Sequence, residues 1–295
     1  MSFLSNSVIF TSRLAGKAND FSASLTRYAL RKYVSFASSS EDPVIYINSI
    51  PKAGTHLLTT ELIRLGLASN SWLHIKTKWV NQTTEKRIPL SQFEIDLNKF
   101  NRLARTVPNG TFFSSHLPYS TDLDSCISQL NYKSLFIIRD PRDILVSNYF
   151  YILRLKRHPA HNFLMSLPDD TSRYRALLYG HPAYKNMEPI SNTYIAFSKW
   201  TTSSNVLTVK FEDIIGASGG GSDPLRCETL KTINNYIHPA NEKEISTEEL
   251  LDTHRKSATF RSGKISTWKE SVPKNLVTEI QEALAPSVAL LGYTN

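Results

Sequence analysis

Four short stretches hold side chains whose types and spacing can do chemistry. The first is SIPKAGTHLL, Ser49–Leu58, where the apolar run VIYINSI gives way to the helix-like LLTTELIRLG. Backbone N–H groups at Ala53, Gly54, Thr55 and His56, with the Thr55 hydroxyl, can wrap a phosphate at a helix N-terminus. Lys52 adds a point charge near such a phosphate's bridging oxygen. A Walker A loop instead places its lysine after the last glycine and follows it with a magnesium-binding Ser or Thr. In RDPRDILVSNYF, Arg139–Phe150, Arg139 ends an apolar run and Ser147 lies two turns into the next helix, suited to bidentate grip of a phosphate plus a hydroxyl donor. SSHLPYS places His116 at another strand end, where an imidazole titrating near neutrality can take a proton from a hydroxyl or amine. FRSGKISTWKE, Phe260–Glu270, is a basic stretch around Gly263 and Trp268.

Taken singly, each stretch also has an ordinary structural account. Short glycine turns join many strands to helices. Asp140, Pro141 and Asp143 read as an N-cap, an N1 proline and a first-turn acid. An isolated histidine is more often packed or exposed than catalytic, and a basic loop is usually solvated.

The elements that must position these residues alternate along the chain. Val44–Ile50, Thr111–Ser115, Ser134–Ile138 and Val206–Phe211 are short apolar runs, each ending on polar or charged residues. Leu57, Leu58, Leu62 and Leu65 recur at helical spacing, and Gly66 stands where a C′ glycine would stop that helix. The segment from Arg154 to Lys199 reads as mainly helical. In the loop at Gly216–Pro224, Asp223 is placed to cap the next helix and Pro224 to begin it. Strands separated by helices predict an α/β three-layer sandwich around a mainly parallel sheet, with ligands at the strands' carboxyl ends.

Composition narrows the partners. The 295 residues fit one large domain, expected over 41–295, and their net charge of +8 favours anionic ligands. The basic residues are spread out, without the dense block of a nucleic-acid-binding arm. Cys126 and Cys227, far apart and without metal-ligand spacing, suit a reduced intracellular protein, and no run is long enough to span a bilayer. A cytoplasmic location is the expectation. Residues 1–40 are Ser-rich and basic, with Asp20 their only acid; they read as an accessory segment, with peripheral membrane contact left open.

Together the stretches resemble the sulfotransferases that use 3′-phosphoadenosine 5′-phosphosulfate (PAPS). SIPKAGTHLL is similar to that family's 5′-phosphosulfate loop, written PKSGTTW or PKSGTHLL. RDPRDILVS resembles its RNPKDxxVS, FFSSHLP its KTHLP, VKFED its YED and FRSGKISTWKE its FRKGxxGDWKN. The resemblance implies a P-loop-like nucleotide-binding core and sulfuryl transfer to a hydroxyl or amine of a small-molecule acceptor, with no metal required and no nucleic acid as partner. It implies His116 as base and Lys52 as the group that steadies the leaving phosphate. It gives the donor site as Lys52, Ala53, Gly54, Thr55 and His56 with Arg139, Ser147, Phe211, Arg261, Ser262 and Gly263. Departures stand beside the matches: His56 and Leu57 replace Thr and Trp, Ser114 and Ser262 replace lysines, and STW replaces GDW. The dimer motif is partial at best, which leaves monomer and homodimer open. The rivals are a P-loop-type kinase, which needs magnesium and a Walker Lys-Ser/Thr pair, and a non-catalytic nucleotide-binding protein. Aromatic residues including Trp79, Phe113, Tyr119, Tyr149 and Tyr151, and the segments 71–108 and 154–199, are the expected sources of an acceptor pocket.

Overall fold

A computed structural model describes residues 41–83, 88–239, 246 and 264–294. The basic segment 1–40 and the site candidates Arg261, Ser262 and Gly263 lie outside the described residues.

Five strands form one parallel sheet in the order β2-β3-β1-β4-β5: β1 Ile45–Ser49, β2 Ser69–Ile75, β3 Thr111–Ser115, β4 Lys133–Ile138 and β5 Val206–Lys210. The pleat divides each central strand between two cores. Tyr46, Phe113, Phe136 and Ile138 enter one, while Ile45, Ile47, Phe112, Leu135 and Ile137 enter the other. Burial on both faces is why these strands read as continuous apolar runs. α1 (Thr55–Arg64) and α9 (Asp223–Ile237) cover the second face through Leu57, Leu58, Leu62, Leu230 and Ile233. On the first face lie α2 (Leu97–Ala104), α3 (Thr121–Gln129), α4 (Pro141–Arg154), α5 (His161–Ser166), α6 (Asp170–Tyr179), α7 (Ile190–Ser198) and α10 (Val277–Leu290).

Helix ends largely follow the sequence. Gly66 (φ 63°) closes α1 in a Schellman arrangement, with Leu67 N–H donating to Leu62 O (2.9 Å) and Gly66 N–H to Ile63 O (3.0 Å). Asp140 caps α4 by accepting from Arg142 N–H at 2.8 Å, with Pro141 behind it. Three details differ. Ser222, not Asp223, caps α9; the Asp223 carboxylate reaches back to Ala217 N–H (2.8 Å) and braces the glycine loop instead. Phe211 lies just beyond β5 and opens the short helix α8 (Phe211–Ile214). The strand β2 lies mostly within the segment 71–108, where no strand was expected. Its sequence SNSWLHI lacks a clean apolar run, because it is an edge strand whose pairing with β3 shifts register between Asn70 and His74.

β2 and β3 lie on one side of β1, and the chain then crosses from β3 to β4 on the other side. That switch point opens a crevice at the carboxyl ends of the strands, where Ser49, His116 and Arg139 emerge.

Candidate active site

The loop from β1 to α1 is held by backbone geometry that its residue types permit. Lys52 (φ 73°) and Gly54 (φ 110°) both adopt left-handed conformations. A Cβ at Gly54 would meet the Phe211 ring at 2.5 Å, so glycine is required both by conformation and by space. Ala53 N–H turns back onto Ile50 O (3.0 Å), which withdraws it from the predicted set of phosphate donors. Gly54 begins α1 without a side-chain cap, and no acid occupies the first turn. The N–H groups of Gly54, Thr55 and His56 therefore open the helix at its positive end, as an anion site requires.

His116 is fixed from two directions. Behind it, the amide of buried Asn48 accepts from Leu117 N–H (2.9 Å) and donates to Leu117 O (2.8 Å), and the indole N–H of Trp200 also reaches Leu117 O (3.1 Å). In front, His116 Nδ1 lies 3.0 Å from Ser49 O and 2.9 Å from Ser49 Oγ, which in turn pairs with Thr55 Oγ1 at 2.6 Å. A carbonyl accepts only, so Nδ1 bears the proton and donates it to Ser49 O. Nε2 is left with its lone pair, the tautomer a general base needs. Burial first, then neighbouring His74, holds the His116 imidazole down to about 3, so it is neutral at physiological pH.

Around it lies a basic cluster. His74, at the end of β2, packs edge-to-face on His116 with ring centroids 4.9 Å apart, and burial holds it down to about 4. His56 is lowered by burial and by Lys52. Lys52 Nζ sits 3.9 Å above the centre of the Tyr151 ring; burial, Arg154 and Arg139 bring it down to about 8.

Arg139 is 9% exposed, and its guanidinium stacks on Phe211 at 4.2 Å. Its Nη2 donates to Lys264 O (2.9 Å) and lies 3.7 Å from the Asp143 carboxylate, while its Nε is buried without a hydrogen-bond partner. Asp143 does more than favour a helix dipole: it accepts from Ser266 N–H (2.9 Å) and Trp268 N–H (3.1 Å), pinning the C-terminal segment across α4. The structure thus brings Lys52, Gly54, Thr55, His56, His116, Arg139 and Phe211 to one sheet edge. Ser147 is half-buried one turn beyond Asp143 on α4.

Beside Ile50 and Pro51 a cavity of about 480 Å³ opens under α4. Phe93, Ile144, Ile152, Leu177 and Tyr194 give it an apolar wall, with Asn81, Asn148 and His158 as polar points. Its lining comes from the segments 71–108 and 154–199 together with α4 and the Ile50–Pro51 turn. Phe113 and Tyr149 are core residues instead, at 0% and 2% exposed, and Tyr119 packs on Trp200. Asn48, His74 and Asp143 are the site residues that sequence reasoning missed. Only Asn48 left a signal, as a polar residue inside an apolar strand.

Residues 42–217, more than half of the chain, match the model of the sulfotransferase domain. The chain belongs to the sulfotransferase family. Among solved structures it is similar to mouse sulfotransferase SULT7A1 complexed with PAP (17% identity, covering 86% of this chain and 87% of that one, TM-score 0.51). It is also similar to retinol dehydratase in a complex with retinol and PAP (14% identity, 91% and 87% covered, TM-score 0.50). At these identities the likeness is one of fold. No curated protein matches by sequence. A sulfotransferase is a transferase, and an uncapped helix start beside a neutral imidazole on a parallel sheet suits that chemistry.

Proposed function

We propose that this sulfotransferase moves a sulfuryl group from PAPS to a hydroxyl or amine of a small apolar acceptor held in the cavity beside Pro51. The observation that carries the reading is the pinned tautomer of His116, with the lone pair of Nε2 left free to accept a proton and Lys52 in the adjoining loop. The chain's residues suit the donor. An uncapped helix start at Gly54–His56 offers N–H groups to a phosphate, and Arg139 keeps a buried Nε without a partner beside the ring of Phe211. Both solved neighbours were crystallised with PAP.

When bound, PAPS supplies an activated sulfuryl group on a phosphate leaving group. His116 Nε2 accepts the acceptor's proton as the nucleophile attacks, and the Ser49 carbonyl on Nδ1–H favours the imidazolium that forms. Lys52, while protonated, stabilises negative charge developing on the departing oxygen. Gly54, Thr55 and His56 hold the 5′ end, and Arg139 with Ser147 holds the 3′-phosphate. Retinol in the complex named above supports an apolar acceptor for a fold of this kind.

The test is thermal stabilisation by PAP against ATP with magnesium, followed by turnover of labelled PAPS with a panel of acceptors. Preferential stabilisation by PAP and transfer of label are expected; preference for ATP with magnesium would overturn the donor assignment. Loss of a positioned base costs about 10²–10⁴-fold, so His116→Ala should abolish most turnover and leave PAP affinity in place. Full activity in that variant would remove His116 from the role.

A further inference from the structure

The end of β2 brings a second imidazole to the first. His74 pairs in register with Ser114, its Nδ1 lies 3.0 Å from Ser114 Oγ, and its ring meets that of His116 at 4.9 Å and 65°. The register shift between Asn70 and His74 separates this pair from the regular start of the strand. We propose that His74 is a positioning residue for the sulfuryl-transfer reaction, its ring fixing the plane of the His116 imidazole so that Nε2 faces the acceptor.

His74 removes a degree of freedom from the His116 ring. The bond from Nδ1 to Ser49 O sets where one edge of the His116 ring points, but a single hydrogen bond leaves the ring free to tilt about it. An edge-to-face neighbour within the distance range of aromatic pairs removes that tilt. Ser114 holds His74 in turn, so the support ends in the sheet. The charged and titratable groups that act on the His116 imidazole are His74, His56 and Lys52, all of them bases. All three disfavour its protonation, so what His74 adds to the reaction is the fixed placement of the ring.

This inference rests on His116 being the base, and the experiment separates the two. His74→Phe, His74→Leu, His74→Ala and His116→Ala are compared for kcat at saturating donor and for PAP affinity. Misplacing a reacting group by about 1 Å can cost on the order of 10²-fold, so His74→Ala and His74→Leu should lower kcat by about that factor with PAP affinity unchanged. His74→Phe, which keeps a ring in contact with His116, should recover most of the loss. His74→Leu keeps the side-chain bulk in the strand, so the comparison stands even if the alanine variant fails to fold. Full kcat in His74→Leu, or equal losses in the leucine and phenylalanine variants, would overturn the positioning role while leaving His116 as base. An active His116→Ala would instead overturn the base assignment, and the inference with it.

Discussion

Lys52 combines a left-handed backbone, partial burial and an ammonium set on the face of Tyr151, and each feature bears on how it can act. Burial and the positive charges of Arg154 and Arg139 favour the neutral amine, which is why its pKa falls to about 8. A lysine that steadies a departing phosphate must be protonated, so its contribution is present below that value and lost as pH rises through it. We expect kcat/KM for the donor, which reports the free enzyme, to fall on the alkaline side near pH 8. The corresponding limb of kcat should lie higher, because a bound polyanion favours the ammonium. A ring face favours a nearby cation by about 0.5–2 kcal/mol. Tyr151→Leu should therefore move the kcat/KM limb to lower pH, and Tyr151→Phe should leave it in place. Coincident limbs for kcat and kcat/KM, measured across pH 6–10, would count against this role of Lys52.

At the scale of elements, α4 joins the two halves of the candidate donor site. Its first turn carries Asp143 to the backbone of Ser266 and Trp268, while Arg139 just before it reaches Lys264 O and the Phe211 ring. Asp143→Asn replaces one acceptor oxygen by a donor that faces backbone N–H groups. Leaving a buried donor unsatisfied costs about 1–3 kcal/mol. The variant should unfold at lower urea and bind PAP more weakly by calorimetry, because the C-terminal segment no longer bears on Arg139; unchanged PAP affinity in the folded variant would confine Asp143 to stability. Local sequence could not show this, since position 143 reads as an acid in a first helical turn and its partners lie 123 and 125 residues away. The same limit applies elsewhere in the site. β1, β3, β4 and β5 were legible because burial on both faces demands apolar runs, and Lys52, His116 and Arg139 because strand ends in such a sheet meet at one edge. β2 was not, because an edge strand with shifted register need not alternate cleanly, and His74 was lost with it. Asp223 was misread as a cap because Ser222, one residue earlier, satisfies the same pattern.

Over the whole molecule, the basic cluster makes stability depend on pH in a direction fixed by sign. His116 and His74 are held down to about 3 and about 4, and His56 is lowered too, against an ordinary value of 6.5. Between those values and 6.5 the unfolded chain binds protons that the folded one does not, so stability rises with pH through that window. The stability these histidines contribute is complete above about 6.5 and drains as pH falls towards their folded values. Asp143, Glu212 and Asp213 act oppositely, because burial raises them and their neutral forms favour the folded state at low pH. The two contributions overlap, so a single stability curve does not separate them. The double variant His74→Phe, His116→Phe removes two of the histidines and leaves all three acids. Urea unfolding from pH 4.5 to 6.5 should show a clearly shallower rise in stability for that variant than for the native chain, whatever its stability at pH 7. Parallel curves for the two proteins would mean that the imidazoles at the sheet edge titrate alike in the folded and unfolded chain, and that the site is wetter than its packing implies.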